Sequence, residues 1–80
     1  MLSKTVSIGL SSIVMTDRII ALISPEGNPA KRLIGDARER GTLIDATHGR
    51  KTRTVLVMDN GSVVLSALLP ETIAARITTE

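Results

Sequence analysis

The chain contains no phenylalanine, tyrosine, tryptophan or cysteine among its 80 residues, although 42% of them are hydrophobic. Aromatic side chains normally bury the largest area each, and disulfides often brace domains that are too small for a large core. A small aliphatic core within a single domain, residues 1–80, must therefore hold the fold. Because such a core hides only part of so apolar a chain, we expect the rest to be covered by other copies in a homo-oligomer.

Neither a membrane protein nor an exported one is indicated. The longest apolar stretch, Val63–Leu69, is far too short for a transmembrane helix. The first residues contain no apolar segment of the length found in signal peptides. Together with the absence of cysteine, this predicts a cytoplasmic protein without a membrane partner.

The first quarter of the chain predicts three strands. Apolar residues alternate with polar or small ones over Val6–Leu10, a turn follows at Ser11-Ser12, and Ile13–Met15 is a second apolar run. Ile19–Ile23 is rich in β-branched residues and is typical of a strand buried on both faces.

A helix is predicted from Pro29 to Arg40. Proline suits a first helical position, and apolar residues recur behind it at helical spacing, at Ala30, Leu33, Ile34 and Ala37. Asn28 is the predicted cap and Gly41 the predicted stop.

The second half predicts a short strand at Leu43–Thr47 and a β-hairpin of Thr54–Met58 with Val63–Leu68. Between them, Asn60-Gly61 is typical of a two-residue type I′ turn. In that register one face carries Leu56, Met58, Val63 and Leu65, and the other carries Val55, Val57 and Val64. Since both faces are apolar, one covers the helix and the other needs a second layer or a second subunit.

A short last helix begins at Pro70-Glu71, with Ile73, Ala74 and Ile77 on one side. The predicted fold is α+β, with a small antiparallel sheet, one mid-chain helix and a short C-terminal helix.

Few catalytic arrangements are open to a chain with one histidine, no cysteine and no glycine-rich phosphate motif. Asp45 and His48 form the one candidate acid–base pair. The simpler explanation is structural, with Asp45 accepting hydrogen bonds from loop N–H groups or pairing with Arg50. We predict a protein that is not an enzyme and that uses no cofactor, metal ion or small-molecule substrate.

The strongest functional signal is His48-Gly49-Arg50-Lys51-Thr52-Arg53, which holds three strong cations and no acid. Arginine and lysine donate charge-assisted hydrogen bonds to phosphate oxygens, and Gly49 lets the backbone approach a partner. Basic loops also occur in many proteins without such a role. In a ring, however, every copy would repeat the segment and build a continuous basic band.

Two further basic positions are candidates for ligand contact. Arg18 lies in a polar break between apolar runs, where pairing with Asp17 explains it as well as a ligand contact does. Lys31 and Arg32 lie near the start of the predicted helix, where cations are slightly unfavourable. A ligand, a subunit contact or plain solvation explains that pair.

The composition favours binding to one kind of nucleic acid over another. Single strands are usually bound by stacking bases on aromatic side chains, and this chain has none. Neither a helix-turn-helix nor a zinc spacing is visible for reading base edges. What remains is binding to the backbone of duplex DNA, with preference for shape or bend.

Several separated segments resemble, in order and spacing, the RemA family of bacterial matrix regulators over nearly the whole chain. The most specific is Leu43-Ile44-Asp45-Ala46-Thr47-x-Gly49-Arg50-x-Thr52-Arg53. The others are Ile8-Gly9, Ile13-Val14, Arg18-Ile19-Ile20-Ala21, Ser24-Pro25-Glu26, Pro29-x-Lys31-Arg32-x-Ile34, Ala37-Arg38-x-Arg40-Gly41, Leu65-Ser66-Ala67 and Pro70-Glu71-Thr72.

The resemblance implies a ring-forming, DNA-binding transcription regulator of matrix and osmoprotection genes. It implies DNA contacts by Arg18 and Arg50 and by the basic position after Arg50. This chain has Lys51 where the family pattern has arginine, and lysine lacks the planar bidentate fork. Adding Arg53, the predicted DNA-binding residues are Arg18, Arg50, Lys51 and Arg53. The alternative is an oligomeric scaffold or adaptor that binds an acidic protein or RNA.

Overall fold

A computed structural model describes residues 4–78 of the chain. Its elements, in chain order, are the strands β1 (Thr5–Gly9), β2 (Ser12–Met15) and β3 (Ile19–Ile23), the helix α1 (Asn28–Arg40), the strands β4 (Leu43–Asp45), β5 (Thr54–Met58) and β6 (Val63–Ser66), and the helix α2 (Pro70–Thr78). A single 3₁₀ turn over Thr16–Arg18 joins β2 to β3. The predicted α+β class and both predicted helices are confirmed.

The strands form two sheets, and one of the sheets is mixed. β1 and β2 pair as a separate antiparallel hairpin, whereas the other strands form a four-stranded sheet in the order β3-β5-β6-β4. Its β3–β5 and β5–β6 pairs are antiparallel, but β4 and β6 are parallel. The expectation of a purely antiparallel sheet is wrong here, because β6 lies between β5 and β4 and runs in the same direction as β4.

The β5–β6 hairpin has a different register from the one that its Asn-Gly pair predicts. The Met58 N–H donates to the Ser62 carbonyl over 2.9 Å, and Gly61 has a φ of 87°. A three-residue loop, residues 59–61, thus replaces the two-residue turn, and Leu56 lies opposite Val64. The predicted face groups are wrong for β6 because a one-residue slip moves each side chain to the other face.

Both faces of the four-stranded sheet are covered by the chain itself. On one face, α1 packs through Ala37 against Val55, Val63 and Leu65. On the other, β1 and α2 pack against the sheet in a cluster of Val6, Ile8, Ala46, Leu56, Val64 and Ile73. The hairpin and α2 therefore supply the second layer that the sequence left open.

β3 is an edge strand, and none of its residues is fully buried, which corrects the prediction that it is buried on both faces. Its pairing shifts between Ile19, which faces Met58, and Ala21, which faces Val57. Ile20 is the extra residue of this bulge, and it is 67% exposed. The most buried strand is β6, all of whose residues are buried.

The start of α1 also differs from the prediction. Gly27, with a φ of 97°, precedes the helix, and no side chain caps it. Asn28 is already helical, so its predicted capping role is wrong. The predicted stop is confirmed, because Gly41 adopts the left-handed conformation at a φ of 75°.

Candidate functional site

The basic segment begins in a tight turn that its own residues define. His48 and Gly49 both have positive φ, 54° and 81°, and the Arg50 N–H donates to the Thr47 carbonyl over 3.0 Å. Asp45, the last residue of β4, holds the entry to this turn. Its Oδ1 accepts from the Thr47 N–H over 2.9 Å and from the Thr47 hydroxyl over 2.6 Å.

These bonds decide between the two interpretations of Asp45. The hydrogen bonds from the side chain and the backbone of Thr47 lower the pKa of the Asp45 carboxyl. Within residues 4–78 no hydrogen bond joins Asp45 to His48, and no ion pair joins it to Arg50. Of the structural roles expected for Asp45, accepting a loop N–H is the one observed.

Arg50, Lys51 and Arg53, which we call the basic platform, lie together where the turn leads into β5. All three side chains are exposed. They line a cavity of about 330 Å³ whose other walls are the tip of the β1–β2 hairpin and residues 67–68. None of the three forms an ion pair within residues 4–78. The platform can therefore offer charge-assisted donors to phosphate oxygens.

The floor of the basic platform is fixed by buried hydroxyl groups. The Ser66 hydroxyl, fully buried, donates to the Ile8 carbonyl over 2.8 Å and accepts from the Leu68 N–H over 3.1 Å. The buried Thr54 hydroxyl donates to the Leu68 carbonyl over 2.6 Å. The Arg53 N–H donates to the Ser66 carbonyl over 2.8 Å. These bonds join β1, the start of β5 and the end of β6.

At the hairpin tip, Leu10 and Ser11 form the turn, one residue earlier than the predicted Ser11-Ser12. Their φ angles are 51° and 69°, so both occupy the left-handed region. The preceding Gly9 has a φ of 102°, and a Cβ there would lie 3.3 Å from Leu68 Cγ. The tip thus approaches the Leu68 side chain closely, next to the basic platform.

Arg18 lies apart from the basic platform, at the end of the 3₁₀ turn. Its side chain is 65% exposed, and its Nη1 lies 3.0 Å from Oδ2 of Asp59. The expected pairing with Asp17 is wrong, because Asp59 follows β5, which is the direct neighbour of β3 in the sheet. The backbone bond from the Asp59 N–H to the Arg18 carbonyl, 2.8 Å, fixes this contact.

The two groups of candidate residues lie at opposite ends of β5. Arg53 directly precedes the strand, and Asp59, the partner of Arg18, directly follows it. Five residues of extended chain separate them, or roughly 17 Å of backbone. A single chain therefore presents two separate basic sites rather than one patch.

Sequence reasoning missed some residues around these sites. Asp59 gave no signal, because it is 41 residues away from Arg18 along the chain. No sequence signal marked Glu26 and Glu71 either, yet both line one cavity with Lys51 and Arg53.

No helix within residues 4–78 has the length and the apolarity needed to cross a membrane. The same residues hold no group of histidine and carboxylate side chains that is suited to a metal ion.

Comparison with known proteins places this architecture in a family. Residues 5–77 match the RemA-like family, described as extracellular matrix regulatory protein A-like. A relative from Dictyoglomus thermophilum is 61% identical over 74 residues, which cover 92% of this chain and 87% of the relative. One from Symbiobacterium thermophilum is 57% identical over 75 residues, covering 94% and 79%. One from a Synechococcus strain is 53% identical over 77 residues, covering 96% and 86%.

All three relatives are named as regulatory proteins, and the names themselves give that role as provisional. The match includes both candidate basic sites and every strand and helix except the final residue of α2, Thr78. The resemblance found in the sequence is thereby confirmed: the chain belongs to the RemA-like family.

Proposed function

We propose that this protein is a non-enzymatic regulator that binds duplex DNA in the cytoplasm through Arg18, Arg50, Lys51 and Arg53, repeated around a homo-oligomeric ring. The basic platform carries the proposal. Its three cations are exposed and form no ion pair within residues 4–78. Cations without an internal ion pair suit phosphate oxygens, because they give up no such pair on binding.

Contacts of this kind position a protein on the DNA backbone and read no base directly. Specificity would then come from the shape and bending of the duplex along the ring. The family description points to genes of the extracellular matrix as the expected targets.

The proposed ring is supported by apolar side chains that the chain does not cover. In the described residues these are Leu10, Ile13, Met15, Ile20, Ile44 and Leu69, each at least 41% exposed. Met15 and Ile44 line a cavity of about 280 Å³ together with Arg18. An apolar recess beside a candidate DNA residue suits a subunit contact next to the rim.

A ring would also bring the two separate basic sites of neighbouring subunits together. If neighbours associate head to tail, the end of β5 that carries Arg18 in one subunit approaches the basic platform of the next. A closed ring of identical contacts then gives a continuous band of cations.

The test is fluorescence anisotropy of a labelled duplex titrated with the protein at several salt concentrations. Each neutralised phosphate adds about 0.9 to the log–log slope of affinity against salt. A slope that exceeds what one basic platform can supply supports the repeated band. Arg50→Ala should weaken binding to every duplex tested, whereas Arg40→Ala, an equal charge loss at the end of α1, should change it little.

Oligomer mass, measured by light scattering, should be the same in both variants. Loss of the oligomer in Arg50→Ala would make Arg50 an interface residue instead. Tight binding to an acidic protein or to RNA, without duplex binding at low salt, would favour the scaffold or adaptor alternative.

A further inference from the structure

A second cavity beside the basic platform lies on the side of the platform that faces the two helices. It has a volume of about 610 Å³ and is lined by the loop before α1, by residues 51–53 and by the first residues of α2. This volume falls within the ordinary range for small-molecule sites, about 300–1,000 Å³. The cavity arises only in the folded chain, because its walls come from three separate segments.

Three cations reach this cavity from two of these segments. Lys31 comes from the first turn of α1, and Lys51 and Arg53 come from the basic platform. Glu26 and Glu71 line the same cavity, yet none of these five side chains forms an ion pair within residues 4–78. The cavity thus offers donors and acceptors that the protein itself leaves uncommitted.

The position of Lys31 is unfavourable for the helix alone. The first turn of α1 holds no acidic residue, and no side chain caps its N–H groups. A cation there is repelled by the positive end of the helix dipole. A bound anion would relieve this repulsion and would also pair with Lys31.

The remaining walls are apolar. Leu69 is 47% exposed, and the rings of Pro25 and Pro70 are half-buried beside it. Such a surface suits the flat, weakly polar part of a ligand whose other end is charged. A free inorganic anion would leave this surface and both carboxylates unused.

We infer that this cavity binds a small phosphate ester of nucleotide size. Lys31, Lys51 and Arg53 hold the phosphate, and Glu26 and Glu71 accept hydrogen bonds from ligand hydroxyl or amino groups. Leu69 and the two prolines contact the ligand's ring.

A regulatory consequence rests on the proposed function. Two of the four proposed DNA-binding residues, Lys51 and Arg53, also line this cavity. A phosphate ester bound there engages them and lowers the affinity for duplex DNA. By thermodynamic linkage, duplex DNA lowers the affinity for the ester by the same factor.

The test uses 5′-AMP as the probe, titrated calorimetrically into the full chain without DNA, with adenosine and inorganic phosphate as comparators. We expect AMP to bind more tightly than either comparator. Lys31→Gln removes one charge-assisted contact and should weaken AMP binding about tenfold or more. The matched control is Arg32→Gln, an equal charge loss at an exposed neighbour that does not line the cavity, which should change it less than about twofold.

Three results would overturn the inference: no AMP binding, equal binding of AMP and inorganic phosphate, or equal losses in the two variants. Duplex titration of the same variants separates this inference from the proposed function. AMP binding without duplex binding leaves the cavity assignment intact and removes the DNA proposal. Duplex binding that Lys31→Gln weakens, with no AMP binding, makes the cavity part of the DNA surface and overturns the ester site.

Discussion

Nη1 of Arg18 donates a hydrogen bond to Oδ2 of Asp59 over 3.0 Å, across the pairing of β3 with β5. The arginine side chain is 65% exposed and that of the aspartate 34%. An ion pair with this exposure contributes about 0–1 kcal/mol to stability. Its larger effect is on Arg18 itself, because the carboxylate fixes the guanidinium and offsets its charge.

Asp59→Asn should therefore tighten duplex binding while changing stability little. Removing the carboxylate frees the Arg18 guanidinium to contact a phosphate. We therefore expect the affinity for duplex DNA to rise about two- to fivefold at low salt. Asp17→Asn is the control, since it changes the same charge next to Arg18 without breaking the pair. Anisotropy titrations that give the same gain for both variants would reduce the effect to general electrostatics.

Lys51→Arg should strengthen duplex binding and leave the fold unchanged. The guanidinium offers a planar fork to phosphate oxygens where the ammonium offers a point charge. We expect a gain below about tenfold, which corresponds to about 1.4 kcal/mol, with no change in the salt slope because the charge is the same. Weaker binding of the arginine variant would show that Lys51 contacts no phosphate.

Ser66→Ala should destabilise the protein by about 1–3 kcal/mol, because it leaves the Ile8 carbonyl and the Leu68 N–H without their partner. Urea unfolding followed by circular dichroism, at one fixed protein concentration, measures the loss. Ser24→Ala, at an exposed loop position, should lie within about 0.5 kcal/mol of the parent. A neutral Ser66→Ala would mean that the buried hydroxyl does not hold β1 in place.

The lowered pKa of Asp45 gives stability a defined pH dependence. A carboxyl whose pKa is depressed in the folded state stabilises the protein above its ordinary pKa of 3.8. That contribution is lost as the pH falls through the lowered value. Asp45→Asn keeps an acceptor oxygen but has no group that titrates. The difference in the free energy of unfolding between the parent and this variant should therefore shrink as the pH is lowered.

Urea midpoints measured from neutral pH down to about pH 3 test this difference. In Thr47→Val, which removes the hydroxyl donor, the pKa of Asp45 should move back up towards its ordinary value. Carbon-13 chemical shifts of the carboxyl group measure it directly. An unchanged pKa would show that the Thr47 hydroxyl bond does not hold the carboxylate.

Ile44→Lys should dissociate the proposed oligomer while leaving each subunit folded. Ile44 lies on the edge strand β4 and is 53% exposed in the single chain, so a lysine there is solvated unless a neighbour covers it. Light scattering measures the mass, and Ala74→Lys, at an exposed position of α2, is the control. An unchanged mass for Ile44→Lys places the subunit contact elsewhere.

The local elements of this fold follow closely from the sequence. The predicted helix from Pro29 to Arg40 differs from α1 by one residue, because a proline at its start and Gly41 at its end act on the nearest turn of chain. The β5–β6 hairpin was also predicted, from two apolar runs around Asn60-Gly61. Its register was not, because the choice between a two- and a three-residue loop depends on which faces the core accepts.

The placement of functional groups was decided by the tertiary structure alone. The sequence marked Arg18, Lys31 and the basic platform, but it could not tell which of them are neighbours. The place of β5 in the sheet sets Arg18 against Asp59 and away from Arg53, and the docking of both helices places Lys31 and Lys51 in the wall of one cavity. Propensity and periodicity act over a few residues, whereas these contacts join segments brought together only when the core closes.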